Sequence, residues 1–119
     1  MRTTLRRWAP LILLAAAAWF GMRLLQDVRI DRLGRQVAAS AKAGDIVMLS
    51  SEDCRYCDAA RDWFRAHRVP FSECVIEREM HCAETFRALQ APGTPTMLVR
   101  GQRVVGFNPE RLAQALSRG

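Results

Sequence analysis

Ser50-Ser51-Glu52-Asp53-Cys54-Arg55-Tyr56-Cys57 is the stretch from which the rest of the chain is read. It follows an apolar run, Ile46-Val47-Met48-Leu49, and precedes a segment with helical periodicity. The Cys-x-x-Cys spacing lets two sulfurs meet within one helical turn and close a small disulfide ring. Cys54 is expected at the N-cap or first turn of the following helix. There the unpaired backbone N–H groups and the helix dipole favour a thiolate over a thiol. The thiolate is the attacking form, so Cys54 is the expected nucleophile. Cys57, one turn deeper, is the expected resolving thiol. The pattern implies thiol–disulfide redox chemistry.

Outward from this stretch, hydrophobic patterning predicts an α/β domain over 45–119. Ile46–Ser50 is short and continuously apolar and predicts a central strand. Residues 58–67 predict a helix, with Ala59, Ala60, Trp63 and Phe64 inward and Pro70 as its stop. His67 is expected as a cation at the helix end. Residues 71–77 alternate as a second strand, and 82–90 form a second helix broken by Ala91-Pro92-Gly93. Residues 96–99 predict a third strand, Gly101-Gln102 a turn, and Val104-Val105 a fourth strand. Asn108-Pro109-Glu110 is a helix start: an Asn cap, proline at the first position, then an acid. Leu112, Ala115 and Leu116 face the core of that last helix. The order βαβα then ββα suits a parallel pair joined by a crossover and an antiparallel hairpin. The expected architecture is a four-stranded mixed sheet with helices on both faces.

With these residues in view, 46–119 resembles the thioredoxin fold of the glutaredoxin-like branch. The resemblance rests on Cys54-Arg55-Tyr56-Cys57 after the first strand, Gly93-Thr94-Pro95-Thr96 before the third, and Gly106 after the fourth. It implies a cis Pro95 facing the dithiol, with the Thr94 backbone open to an extended substrate or to glutathione. It implies Arg55, Tyr56, Thr94, Pro95 and Gly106 as substrate-binding positions beside Cys54 and Cys57. It implies protein disulfides or glutathione mixed disulfides as substrates. Glutathione then serves as reductant or substrate, and no cofactor is tightly held. Two positions depart from the pattern. Arg55 stands where glutaredoxins commonly carry proline, and their paired glycines are here Gly106-Phe107. The Thr-Pro-Thr form also occurs among exported thiol–disulfide proteins.

The electrostatics around Cys54 pull both ways: Arg55 favours its thiolate, whereas Glu52 and Asp53 oppose it. The direction of exchange, reductive or oxidative, therefore stays open. Tyr56 is expected to flank the substrate groove or to pack as a partly exposed aromatic. Cys74 is expected as a small core residue on its strand. Cys82 opens a helix, a position that can activate a thiol. A Cys74–Cys82 disulfide is the lesser expectation, because a mid-strand and a helix-start residue stand far apart. His81 is expected in a loop. The competing function is a metal-binding or metal-delivery module, in which Cys54 and Cys57 join Cys74, His81 or Cys82 as ligands. A third is an assembly partner that keeps the fold without turnover.

The N-terminal region carries a different message. Arg2, Arg6 and Arg7 precede an uncharged apolar run from Trp8 to Met22, followed by Arg23, Leu24 and Leu25. A basic start before an apolar run is an export signal. The run approaches the ~20 residues of a membrane span if Arg23 snorkels. Trp8, Trp19 and Phe20 suit the interfaces. Residues 1–25 are read as an uncleaved signal anchor. Cleavage after Ala16-Ala17-Ala18 is the alternative, and a buried helix of the domain is the plainer reading. The positive-inside rule keeps Arg2, Arg6 and Arg7 cytoplasmic and sends the redox domain outward, as at a bacterial-type inner membrane with the domain in the periplasm. Residues 26–44 are expected as a helical connector.

Charge agrees with this division. The net +6 splits into 7 − 2 = +5 over residues 1–41 and 11 − 10 = +1 over 42–119. The redox domain is near neutral with interspersed signs, which excludes a nucleic-acid footprint. Four cysteines in 119 residues fit redox or metal chemistry, or an oxidising compartment.

Overall fold

The computed structural model describes residues 2–119, with side chains from Arg6 onward. Met1, the first residue of the expected anchor, lies outside the described residues. The first element is one long helix, α1, Arg2–Ser40, which contains Pro10. The expected connector at 26–44 is therefore largely a continuation of the anchor helix. Leu, Ala, Arg and Gln make up about half of this stretch, and all are good helix formers. The helix stops before Gly44, whose φ is +90°. The Asp45 carboxylate accepts from the Lys42 N–H at 2.8 Å across the turn.

Two compact units result, one ending at Asp31 and one spanning Arg32–Gly119. Residues 8–22 of the first carry no charge on any side. Leu11, Ile12, Leu13, Leu14, Trp19 and Phe20 are all exposed, and none of its most apolar window is buried. The plainer reading, a helix sunk in the domain core, does not hold for this stretch. The helix is long and apolar enough to cross a membrane. Arg23 lies 4.9 Å above the Trp19 ring, so its charged head has a partner on the helix itself.

The second unit begins at Arg32 rather than at residue 45. Val37 and Ala41, at the end of α1, are buried in its core. The remaining elements are β1 (Ile46–Ser50), α2 (Arg55–Ala66), β2 (Ser72–Val75), α3 (Met80–Ala88), β3 (Thr96–Val99), β4 (Gln102–Val105) and α4 (Pro109–Arg118). The sheet order is β2-β1-β3-β4. β1 and β2 run parallel, with α2 as the crossover, and the other pairs are antiparallel.

Register decides the core. Met48 faces Met97, which faces Val104, and Ile46 faces Val99. Directly paired residues share a sheet face. These five join Ala60 and Phe64 of α2, Leu112, Ala115 and Leu116 of α4, and Val37 in one hydrophobic cluster. Leu49 alternates to the opposite face and is also fully buried, so that face is covered too. Phe64, Phe71 and Phe107 form an aromatic group within this layer. Trp63 lies edge-on to Phe107, and its buried indole N–H has no hydrogen-bond partner.

The β3–β4 turn places Arg100 and Gly101 at φ +49° and +81°. Two successive positive φ values match the twist of a two-residue hairpin loop. Arg100 tolerates this conformation because it is held from several sides. Its N–H donates to the Asp45 carbonyl at 2.8 Å. Its guanidinium donates to the carbonyls of Leu116 and Ser40 at 2.6 and 3.0 Å. One arginine thereby fastens the hairpin, the end of α1 and α4.

Candidate functional site

β1 runs out at Ser50, and a short loop later Cys54 caps α2. Its backbone is extended, at φ −146° and ψ 104°, as an N-cap requires. The helix starts at Arg55, with Cys54 as the expected cap, three residues before its apolar periodicity sets in at 58. Cys54 Sγ accepts the Cys57 N–H at 3.1 Å. Sulfur thus takes the place of the usual cap oxygen. Cys54 and Cys57 are joined as a disulfide with Cα atoms 5.2 Å apart. Cys57 is fully buried, whereas Cys54 is partly exposed. Only the first sulfur is open to a partner. The Cys57 N–H and the positive end of the α2 dipole favour its negative charge once reduced.

The antiparallel register of β1 and β3 brings Thr94 and Pro95 alongside this end of β1. Leu49 pairs with Thr96, and the Ser51 and Thr94 hydroxyls are hydrogen-bonded at 2.8 Å. The Thr94–Pro95 bond is cis, and Pro95 is buried. Gly106 follows β4 at φ +76° and donates its N–H to the Pro95 carbonyl at 2.9 Å. Cys54, Thr94, Pro95 and Gly106 therefore gather at one end of the sheet. Arg55 and Tyr56 project from the first turn of α2 into solvent, and Tyr56 is 75% exposed. The structure gives Tyr56 the exposed position rather than the packing one.

A charge network beneath this end is absent from the sequence reading. Buried Ser50 donates to Glu73 Oε1 at 2.8 Å, and Arg61 Nε donates to Glu73 Oε2 at 2.9 Å. Arg61 also reaches Asp58 at 2.8 Å. The Arg61 guanidinium holds the Glu73 carboxyl below its ordinary value, with burial opposing and the Ser50 hydroxyl assisting. Glu73 in turn raises Arg61. Glu52, expected to oppose the Cys54 thiolate, is paired with Arg78 at 3.1 Å, which offsets its charge. The sequence holds one hint of this network, a polar Ser50 closing a buried apolar strand.

The second cysteine pair is a correction. Cys74 and Cys82 form a disulfide with Cα atoms 5.5 Å apart. The two stand closer than expected because β2 ends at Val75, not 77. Cys74 is thus next to last in its strand rather than in its middle. A tight turn follows, in which the N–H groups of Arg78 and Glu79 both donate to the Val75 carbonyl. α3 then starts at Met80, so Cys82 sits in its first turn and His81 is helical rather than in a loop. Cys74, His81 and Cys82 bring their ligand atoms within 4.8 Å of one another. Cys54 and Cys57 have no place in that group. The expected cluster of both pairs around one metal is not found among the described residues. His67 closes α2 as expected, its Nδ1 3.0 Å from the Trp63 carbonyl.

Residues 46–104 match the glutaredoxin family model. Among curated proteins, none is similar enough to match. The thioredoxin-like protein BC3987 superposes with a TM-score of 0.53 at 22% identity, covering 59% of this chain and 97% of that one. A glutaredoxin from Archaeoglobus fulgidus gives 0.50 at 18%, covering 63% and 87%. A buckwheat glutaredoxin–glutathione complex gives 0.50 at 15%, covering 76% and 89%. At these identities the superpositions speak for fold alone. The family model and the Cys-x-x-Cys pair support thiol–disulfide oxidoreductase chemistry in general. The four-stranded mixed sheet, its helices and the dithiol at the end of β1 make this a thioredoxin fold of the glutaredoxin-like kind, preceded by a long apolar helix.

Proposed function

We propose that the chain is a membrane-anchored thiol–disulfide oxidoreductase acting outside the cytoplasm on protein disulfides or glutathione mixed disulfides. The observation that carries this reading is the pairing of a partly exposed Cys54, capped by the Cys57 N–H, with a fully buried Cys57. In the reductive direction the Cys54 thiolate attacks one sulfur of the partner disulfide. That S–S bond breaks, and the other partner sulfur leaves as a thiolate and takes a proton. Cys57 then loses its proton and attacks Cys54 Sγ. The partner's remaining sulfur leaves and is protonated, and the Cys54–Cys57 disulfide closes. Two electrons have passed to the partner; the reverse order oxidises it. Thr94, Pro95 and Gly106 are the backbone that an extended partner would meet beside Cys54, with Arg55 and Tyr56 at the rim. Glutathione is one such partner, as it is of the buckwheat glutaredoxin in its complex. Arg2, Arg6 and Arg7 stay on the cytoplasmic side of the anchor.

Replacing either cysteine separates the roles. Cys54→Ser abolishes disulfide reduction. Cys57→Ser accumulates a mixed disulfide that mass spectrometry reads as the partner's added mass. Full exchange activity in Cys54→Ser overturns the assignment.

A further inference from the structure

Cys74, His81 and Cys82 take no part in the exchange described above. We propose that, once the Cys74–Cys82 disulfide is reduced, these residues and Glu79 bind a divalent metal ion of the zinc class. The donor separations carry the proposal. His81 Nε2 lies 3.8 Å from Cys74 Sγ and 3.6 Å from Cys82 Sγ. Glu79 Oε2 lies 3.7 Å from Cys82 Sγ and 3.3 Å from His81 Nε2. Around tetrahedral zinc, with Zn–S near 2.3 Å and Zn–N or Zn–O near 2.1 Å, sulfur-to-nitrogen and sulfur-to-oxygen separations are about 3.6 Å and nitrogen-to-oxygen about 3.4 Å. Four of the six distances a tetrahedral metal would impose are already present. Opening the disulfide lets the sulfurs move apart to about 3.8 Å, and the Glu79 carboxylate, which stands outside the close group of Cys74, His81 and Cys82, must then approach Cys74 Sγ to complete the set.

The local fold explains the arrangement. The turn after β2 folds α3 back on Cys74. Glu79 is the N-cap residue of α3 with no side-chain cap bond, so its carboxylate is not engaged at the helix end. Cys82 stands in the first turn, where the amides favour its thiolate. His81 and Glu79 are largely exposed, which leaves a path for the ion.

The chemistry is a two-state switch. A dithiol reductant gives two electrons and two protons to the Cys74–Cys82 bond and closes its own disulfide. The metal then displaces both thiol protons, which pass to solvent. The oxidised pair offers two neutral sulfurs sharing a bond, a poor ligand set. Metal binding and disulfide therefore exclude each other.

The test uses the full-length chain in detergent micelles, reduced by a phosphine without oxygen and titrated with Co²⁺. The Cys54→Ser/Cys57→Ser variant removes the other dithiol. The expected result is one Co²⁺ per chain with sulfur-to-cobalt absorption and tetrahedral visible bands, displaced by Zn²⁺. The oxidised variant binds none. His81→Ala, at an exposed position, weakens binding at least about tenfold. Absence of stoichiometric Co²⁺ overturns the proposal, as does equal binding by the oxidised chain. If the double variant does not fold, His81→Ala in the otherwise native chain decides: undiminished Co²⁺ affinity there overturns it as well.

Discussion

Glu73 accepts hydrogen bonds from β1 and α2 at once, and both keep its carboxylate ionised. Its folded-state pKa lies below the ordinary 4.5, with Arg61 as the main cause. A depressed carboxylate contributes stability that is full above the ordinary value and lost as pH falls through the folded value. The native chain should lose stability as the pH falls below the ordinary 4.5, and Glu73→Gln should lose less over that range. At neutral pH the substitution should cost about 1–2 kcal/mol, because Arg61 keeps a weaker partner. Urea denaturation at several pH values checks this; parallel pH profiles for the two proteins would dismiss Glu73 as a stabilising carboxylate. Single residues differ in how much of their role is legible in advance. The placement of Cys54 and Cys57 is legible because the Cys-x-x-Cys spacing is local, and that of Thr94 and Pro95 through the family resemblance. That of Glu73 and Arg61 is not, because they meet only where α2 packs against β2.

At the scale of elements, the end of α1 belongs to the redox unit through Gly34. A Cβ placed there would overlap the ring of His67 at the end of α2. That ring is itself held against Trp63, with centroids 4.6 Å apart. Gly34→Ala gains about 1 kcal/mol in helix propensity but overfills this contact, which costs about 1–3 kcal/mol. The net expectation is a less stable domain, measured by chemical denaturation followed by circular dichroism. A more stable variant would show that α1 does not approach α2 so closely. Element types are legible throughout 45–119, and the limits of β1 and β3 are legible to the residue. The start of α2 is legible from the Cys54 cap although its apolar periodicity begins only at 58, whereas α3 starts earlier than expected, since its N-cap residue, Glu79, is one that periodicity does not register. The Asn108 cap of α4 is legible, and its side chain accepts from Glu110 and Arg111 as such caps do.

For the molecule as a whole, the division at Arg32 makes a direct prediction about what folds alone. A fragment of residues 32–119 should unfold cooperatively. One of residues 45–119 should be less stable by roughly 2–4 kcal/mol, since it leaves the sites of Val37 and Ala41 uncovered. It also removes the Ser40 carbonyl that Arg100 grips. Thermal melts of the two fragments compare them, and equal midpoints would mean that the helix end adds nothing. The fold class is legible because the order of strands and helices admits few topologies. The reach of α1 into the core is not, because Arg and Asp punctuate its apolar positions.

The same division isolates a chromophore. Trp8 and Trp19 precede Arg32, so the shorter chain retains a single tryptophan, Trp63. That indole sits on the helix that Cys54 caps, with aromatic rings at its edge and no group bonded to its nitrogen. Its emission colour would follow how dry the underside of that helix remains, giving an unlabelled optical record of each change at the sulfur pair.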